Sequence, residues 1–550
     1  MGKLSRRSFL KTTGQAGAAL AASSMLGKVG WAQSATGPTR VVIDSTRRIS
    51  AIDRNIFGSF LEQLGRAIYT GIYDPGSKLS DANGFRTDVM KEIRKLGVPI
   101  VRYPGGNFVS GYHWLDGVGP KKDRPRVLDR AWNTIETNQF GTNEFIDWAR
   151  AVGTKPLFGL NFGTGSVEDA VALLEYCNIP KDTKWSELRR QHGYDQPHNV
   201  KYWCLGNEMD GPWQIGHMKA PQYAEKARDA ARQMRNVDPS VKLIACGSSG
   251  PFMPSYIEWD RQVLEECYDL VDGISLHRYW GNTDECFNDS QKYLAMNLTM
   301  DRQIEEIIAV CDLVKAHQRT RKQLFLSFDE WNVWYRARNG DATDGHRTEA
   351  PHLLEEVYNL EDALLVGGLI NSLVRHSDRV KLACLAQLVN VIAPIMTNES
   401  GLLKQTTYYP YLWGLHHARG FALDVAAEGP TYPVPTLGKS IDENAVQIPG
   451  LGDVPYLDVM VTLDPEKKTA NVFVLNRDLE KSRELLLDWH DLTPTKVVEF
   501  QTMTGKDLKA INTFAEPNRV TPQELEKPKA GSKMSLQIPA RSYSVLVLAI

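Results

Sequence analysis

The chain has 550 residues, 42% of them hydrophobic, and a formal net charge of -2 at neutral pH. This composition supports a large core and a second domain, and the near-neutral charge gives no electrostatic reason to expect a nucleic-acid or anionic-membrane partner. Beyond the N-terminal segment, no apolar run approaches the length needed to span a bilayer.

Residues 1–32 are typical of a twin-arginine signal peptide. SRRSFLK at 5–11 precedes an Ala- and Gly-rich stretch, and a small-residue cleavage site follows at Ala32. The alternative interpretation is a disordered basic terminus. Cleavage would remove five positive charges and no acid, changing the net charge from -2 to -7. We therefore expect a periplasmic or secreted protein, exported by the twin-arginine pathway.

The seven cysteines are scattered, odd in number and without a CxxC pair. This pattern argues against both a disulfide framework and a zinc site. We expect buried small side chains at most of these positions, and neither a metal nor another cofactor.

From residue 54 onward, strand-like and helix-like segments alternate. Eight strand-like runs lie at 56–62, 99–105, 155–163, 200–208, 242–249, 273–280, 323–331 and 381–389. Alternating strands and helices imply right-handed crossovers and a parallel sheet. Eight such units in about 350 residues predict an α/β fold, a closed (β/α)8 TIM barrel over residues 54–403.

The alternation ends near residue 403. Short runs of alternating hydrophobicity at 456–463, 469–477 and 542–550 are separated by charged turns. They predict an antiparallel β-sandwich domain over residues 404–550. A further strand at 41–49, within residues 33–53, lies outside the barrel pattern.

Two predicted barrel strands end in acidic side chains. In KYWCLGNEMD, at 201–210, an apolar run is followed by Gly206, Asn207 and Glu208. LFLSFDEWN, at 324–332, repeats the pattern with Glu330. A surface loop would be the simpler explanation for either glutamate alone, but carboxyl ends of barrel strands converge. Two facing carboxylates, one protonated and one ionised, are the equipment of a glycosidase.

Other predicted strands also end in polar side chains. They are Glu62, Arg102, Asn107, His277, Tyr279, Gln387 and Asn390. A metal-ligand role is open to His277, but a lone histidine without neighbouring histidines or cysteines favours hydrogen bonding. We predict no metal site here.

Five stretches resemble glycoside hydrolase family 51, which consists chiefly of α-L-arabinofuranosidases. They are GSFLEQLGRAIYTGIYDP (58–75), RYPGGNFVSGYHWLDGVGP (102–120), GNEMDGPWQIGH (206–217), FDEWNVWY (328–335) and AQLVNVIAPI (386–395). The similarity covers nearly all of the mature chain, in order. It implies that the early strand at 41–49 joins the sandwich, which would then contain both ends of the chain.

The resemblance also implies roles for individual residues. Glu208 resembles the family's general acid/base and Glu330 its nucleophile, with Arg102 and Tyr279 keeping Glu330 ionised. Asn207 is placed to bond the sugar 2-hydroxyl. The remaining substrate-binding residues implied are Glu62, Asn107, Gln387, a wall at Trp334 and, as a hydrogen-bonding group, His277. A structural ion pair remains open for Arg102, and packing rather than sugar stacking for Trp114, Trp213 and Trp334.

We therefore expect a retaining, exo-acting α-L-arabinofuranosidase acting on an arabinofuranose-containing oligosaccharide or polysaccharide. Retention requires the two carboxyls to lie about 5 to 5.5 Å apart. A β-xylosidase, a galactofuranosidase or an endo-glucanase would use the same scaffold, and a non-catalytic carbohydrate-binding protein is the alternative from another class. The resemblance suggests a homo-oligomer, with the hexamer as one form.

Overall fold

The computed structural model describes residues 37–335, 344–440 and 444–550. The predicted signal peptide, residues 1–32, lies outside the described residues. Within these ranges no helix combines the length and the apolar character that crossing a membrane requires.

The first part of the chain alternates strands and helices. In chain order the elements are β1 (Thr39–Ile43), β2 (Arg48–Ala51), β3 (Gly58–Phe60), α1 (Thr87–Leu96), β4 (Ile100–Tyr103), β5 (Val127–Asp129), β6 (Thr134–Glu136), α2 (Thr142–Val152), β7 (Lys155–Gly159), α3 (Val167–Asn178), α4 (Lys184–Gln191), β8 (Tyr202–Leu205), α5 (Ala220–Val237), β9 (Lys242–Ala245), α6 (Glu258–Cys267), β10 (Gly273–Trp280), α7 (Ser290–Tyr293), α8 (Asn297–Gln318), β11 (Phe325–Val333), α9 (Leu360–Arg375) and β12 (Val380–Leu385).

Eight of these strands close a barrel. Strands β3, β4, β7, β8, β9, β10, β11 and β12 pair in that order, every pair is parallel, and β12 returns to β3. Each of the eight predicted runs overlaps one barrel strand, so the predicted TIM barrel is confirmed. Catalytic residues of such barrels lie at the carboxyl ends of the strands.

The first outer helices show how the sequence determines their bounds. Helix α1 buries Val89, Met90, Ile93 and Leu96, which recur at helical spacing, and ends at Gly97 with φ 70°. Helix α2 ends in the same way at Gly153, with φ 81°. Glycine adopts this left-handed conformation without a steric penalty, so each helix stops and the chain turns toward the next barrel strand.

The later elements of the chain include most strands of a second layered unit. They are β13 (Ile395–Asn398), β14 (Gly401–Lys404), α10 (Tyr408–His417), β15 (Phe421–Leu423), β16 (Ala426–Glu428), β17 (Thr431–Val434), β18 (Gly452–Pro455), β19 (Leu457–Asp464), β20 (Thr469–Asn476), β21 (Arg483–Trp489), β22 (Lys496–Thr504), β23 (Gln523–Glu524), β24 (Lys533–Ile538) and β25 (Ser542–Ala549). One sheet has the order β2-β15-β19-β20-β25-β22-β23 and the other β16-β1-β21-β24.

The two sheets share one core, as a sandwich requires. Val41 and Leu487 from the smaller sheet pack in the same cluster as Val472 and Leu546 from the larger one. The predicted sandwich is confirmed, and its pairs are antiparallel except for β1 with β21, which is parallel.

The single strand expected at 41–49 is instead two strands in different sheets. The Asp44 carboxylate accepts a hydrogen bond of 2.9 Å from the Thr46 N–H, and the Arg47 N–H donates to the Asp44 carbonyl at 3.1 Å. This turn breaks the strand, because Asp side chains that bond the backbone two residues on favour turns. β1 therefore pairs with β16 and β21, whereas β2 pairs with β15.

Helix α10 belongs with the outer helices of the barrel, although it follows residue 403. It contacts α1 and α9. A Cβ placed on Gly414 would lie 3.2 Å from both Ile370 and Phe57. The close fit shows that the barrel's helical layer extends to this segment, beyond the position where we expected the sandwich domain to begin.

Candidate active site

Two glutamates from opposite sides of the barrel meet at its carboxyl end. Glu208 follows β8, and Glu330 lies in β11. The His277 Nδ1 atom is 3.0 Å from Glu208 Oε1 and 3.6 Å from Glu330 Oε2. One oxygen of each carboxylate and this nitrogen all lie within 4.8 Å of one another. The two carboxylates thus face the same space.

An irregularity in β11 brings two neighbouring acids to one side. Ser275 pairs with Ser327 but His277 pairs with Glu330, so β11 has one more residue than β10 over this step. The pairing with β12 shifts at the same place. Consecutive side chains of a regular strand point to opposite faces, whereas an extra residue redirects them. Asp329 and Glu330 consequently both contact His277.

Two donors hold the Glu330 carboxylate. Arg102 Nη1 donates to Glu330 Oε1 at 2.6 Å, and the Tyr279 hydroxyl donates to Oε2 at 2.8 Å. Burial and the charge of Glu330 raise the pKa of Tyr279 well above its ordinary value, so the phenol remains a donor. Arg102 Nη2 also donates to Asn207 Oδ1 at 2.7 Å. Donors on both oxygens hold the Glu330 carboxylate in one orientation.

Asp329 lies beneath the pair and is fully buried. Its carboxylate is 3.1 Å from His277 Nε2 and accepts a bond of 3.2 Å from the Cys204 thiol. Burial opposes ionisation, but the charges of Arg102 and His277 outweigh it and lower the pKa of Asp329. The sequence places Asp329 beside Glu330, but Asp329 was absent from the expected site residues. In a regular strand the two neighbouring side chains would point to opposite faces.

His277 is surrounded by acids. Burial lowers its pKa, but the Glu330 charge and the hydrogen bonds to Asp329 and Glu208 raise it to about 10. In the described part of the chain, Glu208, His277 and Glu330 have donor atoms close enough for a metal ion. Carboxylates already engage both ring nitrogens, and a protonated imidazole does not bind metal. Hydrogen bonding therefore explains this cluster.

Glu208 is held in an unusual backbone conformation, with φ 46°. While Oε1 faces His277, Oε2 accepts a bond of 2.8 Å from the indole N–H of Trp213. The Trp213 ring is 39% exposed and its centroid lies 6.4 Å from that of Phe252. The sequence is compatible with either sugar stacking or packing for Trp213. In the structure its indole bonds directly to Glu208.

Glu62 follows β3 at the opposite side of the site. Its Oε1 accepts from the Phe108 N–H at 2.8 Å and from the Trp132 indole at 3.0 Å, and Gln387 Nε2 lies 3.5 Å from Oε2. A Cβ on Gly106 would lie only 2.8 Å from Oε2, so the backbone approaches the carboxyl closely. Burial raises the pKa of Glu62 to about 8, which makes it a neutral acid at neutral pH.

The remaining predicted residues lie around the same space. Asn107 begins a 3-10 turn at 107–111 and is half-buried. The Trp334 ring packs edge-on against Tyr279, with centroids 5.1 Å apart. All ten predicted residues therefore lie at the carboxyl end of the barrel: Glu62, Arg102, Asn107, Asn207, Glu208, His277, Tyr279, Glu330, Trp334 and Gln387.

Arg102 and His277, which belong to the predicted substrate-binding set, both contact other side chains of the site. Arg102 bonds to Glu330 and Asn207, and His277 contacts the Glu208 and Asp329 carboxylates. Trp132 was missed because it comes from the connection between β5 and β6, where no strand-end pattern marks it.

Comparison with known proteins gives consistent matches along the chain. The family profile described as "Alpha-L-arabinofuranosidase 1 domain" matches residues 92–298, and "Alpha-L-arabinofuranosidase C-terminal domain" matches residues 329–542. The chain is 47% identical to an intracellular exo-α-(1→5)-L-arabinofuranosidase of Halalkalibacterium halodurans over 88% of this chain and 93% of that one. A Bacillus subtilis protein named in the same way is 46% identical over the same shares.

A solved structure of the same family matches the fold of this chain. The family 51 α-L-arabinofuranosidase from Bifidobacterium longum superposes with a TM-score of 0.85 at 36% identity, covering 93% of this chain and 100% of the other. By contrast, the expected export by the twin-arginine pathway to the periplasm or the medium is wrong, because both curated relatives above are named intracellular.

Proposed function

Because the chain belongs to family 51 of the glycoside hydrolases, the α-L-arabinofuranosidases, we propose that it removes terminal, non-reducing α-L-arabinofuranosyl residues by two-step, retaining hydrolysis. The two relatives act, by their names, on (1→5) linkages, and this supports (1→5)-linked arabino-oligosaccharides as substrates.

The separation of the two carboxylates supports the retaining mechanism. Facing oxygens of Glu208 and Glu330 lie within 4.8 Å of each other. Retaining enzymes place these groups about 5 to 5.5 Å apart, whereas inverting enzymes leave about 6.5 to 9.5 Å for a water molecule. The short separation leaves room for a sugar carbon between the acids but no room for that water.

Glu330 is the nucleophile in this proposal. Its bonds to Arg102 and Tyr279 orient the carboxylate, which attacks C1 of the arabinofuranosyl unit. Glu208 protonates the departing glycosidic oxygen in the same step. Glu208 then removes a proton from the water that attacks C1 and releases arabinose, while Glu330 leaves as a carboxylate.

His277 holds the proton that Glu208 uses. With a pKa of about 10, His277 carries a proton at neutral pH. Its Nδ1 proton can pass along the 3.0 Å contact to Glu208 Oε1 as Glu208 gives a proton to the leaving group. Asp329 keeps the other ring nitrogen protonated. The proton removed from water in the second step restores the starting state.

The other residues bind the sugar in this proposal. Glu62, Asn107, Asn207 and Gln387 contact hydroxyl groups, and Trp334 forms a wall beside Tyr279. The support for the Glu62 role is its neutral carboxyl, which offers a hydroxyl hydrogen as well as an acceptor.

The resemblance to family 51 supports a homo-oligomer, with the hexamer as one form. Light scattering of the purified protein measures the number of subunits.

A panel of 4-nitrophenyl glycosides tests the sugar specificity. We expect hydrolysis of the α-L-arabinofuranoside and at most weak hydrolysis of the β-xyloside, β-galactofuranoside and β-glucoside. Proton NMR of the first-formed arabinose should show the α anomer, which is retention. Initial release of the β anomer would contradict the double displacement, and a preference for another sugar would contradict the assigned substrate.

Glu208→Ala separates proton donation from the rest of the reaction. We expect hydrolysis of (1→5)-arabinobiose to fall by about 10²- to 10⁴-fold, the range for a general acid. Formation of the glycosyl-enzyme from the 2,4-dinitrophenyl glycoside should persist, because that leaving group departs without a proton. Equal loss of both reactions would contradict the acid role.

A further inference from the structure

A second cavity lies beside the catalytic space, behind the Tyr279 and Trp334 side chains. Its volume is about 260 Å³, and it extends from Phe252 to the segment at 446–449 that follows the barrel. A single water molecule needs only about 10 to 15 Å³ on this scale. The cavity is therefore large enough for a ligand.

Arg278 lines this cavity, and no hydrogen bond or ion pair from the described residues holds its guanidinium. In this part of the chain no carboxylate lies within ion-pair distance of Arg278, and its guanidinium carbon lies 5.5 Å from the centroid of the Trp280 ring. Its neighbours His277 and Tyr279, by contrast, are both hydrogen-bonded to carboxylates. The half-buried guanidinium has five N–H donors, and a ligand in the cavity can supply acceptors for them.

The lining favours a neutral ligand rich in hydroxyl groups. Glu285 and Glu306 lie close enough to raise the pKa of Arg278, although burial lowers it overall. An anion would meet these two acids, and a cation would meet Arg278 and Arg302. A hydroxyl group can accept a hydrogen bond from an arginine and donate one to a glutamate. The Phe252 and Trp334 rings add apolar faces suited to the C–H face of a sugar.

The cavity lies on the side of the proposed acid. Trp213 bonds to Glu208 and packs against Phe252, which lines the cavity. The leaving group of a glycoside must lie next to the acid that protonates it. A sugar chain that continues from the scissile bond past Trp213 runs toward Phe252, which lines the same cavity as Arg278.

We propose that this cavity binds sugar units on the leaving-group side of an arabino-oligosaccharide, with Arg278 bonding to their hydroxyl groups. The inference depends on the proposed function, because it takes the substrate to be a chain of neutral sugars. It makes Arg278 a determinant of chain-length preference and leaves the chemistry at C1 to the catalytic pair.

The test compares substrates with and without leaving-group sugars. For Arg278→Met, kcat/KM on (1→5)-arabinohexaose should fall at least tenfold, mostly through KM. On 4-nitrophenyl α-L-arabinofuranoside the kcat/KM of this variant should stay within twofold of the wild-type value. Arg321→Met is the matched control, since Arg321 is exposed and precedes β11 at the opposite end of the barrel. Arg321→Met should leave kcat/KM unchanged on both substrates.

A second variant blocks the cavity from its rim. Val446 is 39% exposed and lines the cavity, so Val446→Trp fills it without altering the barrel core. We expect the same selective loss on arabinohexaose. Equal losses on both substrates, or no loss on either in both variants, would overturn the cavity assignment.

Failure of the proposed function gives a different result. If wild-type protein hydrolysed neither substrate, the assigned activity would be wrong. Calorimetric binding of arabinohexaose would then decide on the cavity: weaker binding by Arg278→Met than by wild type supports it, and equal binding overturns it.

Discussion

Two clusters of buried and half-buried charged side chains contain the same residue types but differ in their role. The catalytic cluster consists of Arg102, Glu208, His277, Asp329 and Glu330 at the carboxyl end of the barrel. The interface cluster consists of Asp301, Arg375, Asp458 and Arg477, where helices α8 and α9 meet strands β19 and β20 of the sandwich.

The clusters differ in how fully their charges are balanced. In the interface cluster two arginines face two aspartates, and Arg477 also donates to the carbonyls of Leu294 and Pro455, both at 2.9 Å. In the catalytic cluster three carboxylates share Arg102 and a protonated His277. A cluster whose charges are balanced holds the barrel helices against the sandwich. A cluster with one carboxylate in excess, beside an open space, has a carboxylate available to react.

The largest effect should follow from removing the proposed nucleophile. Glu330→Gly is expected to lower kcat on the nitrophenyl arabinofuranoside by about 10³- to 10⁴-fold, the scale of losing a residue that acts as part of a catalytic unit. The free energy of unfolding in urea should stay within about 1 kcal/mol of wild type, because Arg102 keeps Asp329 and Asn207 as partners. Unchanged hydrolysis would contradict the nucleophile assignment and with it the comparison.

Asp458→Asn should lower the stability of the protein and leave its activity unchanged, whereas Glu330→Gly should do the reverse. Asp458→Asn leaves Arg375 and Arg477 with one ionised aspartate between them, so the free energy of unfolding should fall by about 3 kcal/mol. At 25 °C, kcat/KM of the folded protein should remain within twofold of wild type. Asp507→Asn, which breaks an exposed pair with Arg519, is the control and should cost at most about 1 kcal/mol. Loss of activity at full stability would show that the interface cluster also serves the reaction.

Asp329→Asn tests whether the buried acid acts through His277. Without the Asp329 charge the pKa of His277 should fall from about 10, so the alkaline limb of kcat should move to lower pH. We expect kcat at pH 7 to fall about 10- to 100-fold on arabinobiose and less on the 2,4-dinitrophenyl glycoside. The pH profile is the deciding measurement, because a purely structural defect would lower kcat without moving the limb.

The same shift has a consequence for stability. The folded pKa of His277 lies above its ordinary value of 6.5, so its stabilising contribution is complete below pH 6.5 and is lost as the pH rises through about 10. Urea unfolding measured at several pH values should show this loss in wild type and show it at lower pH in Asp329→Asn.

The smallest effect concerns Glu62. In wild type, KM should rise as the pH passes about 8, because Glu62 then ionises near Glu330 and loses its hydroxyl donor. Glu62→Gln keeps a neutral donor and acceptor at this position, so its KM should differ only a few-fold at pH 6 and no longer rise near pH 8. A rise that persists in the variant would assign the titration to another group.

Much of the fold could be predicted because the sequence periodicity is unambiguous. Runs such as 200–208 are apolar on both faces, as a barrel strand covered by helices requires, and polar residues follow them at the end where strands converge. That reasoning places Glu208 and Glu330 together without coordinates.

The missed features depend on departures from periodicity. Asp329 was not among the expected site residues, because nothing in FDEWN marks the extra residue in β11 that brings its carboxylate to His277. The break at Asp44 was missed because hydrophobic residues continue on both sides of the turn. Trp132 reaches Glu62 from a connection whose path only the folded barrel determines.

The pairing of β1 with β21 also affects how the chain folds on the ribosome. Arg40 and Asp488 are hydrogen-bonded across 448 positions of sequence. At about 5 to 20 residues per second, strand β1 emerges roughly 20 to 90 seconds before the strand beside it is translated. Every barrel strand is complete by then, so the sandwich is the last part to assemble, and proteolytic trimming at either terminus would remove strands from the same domain.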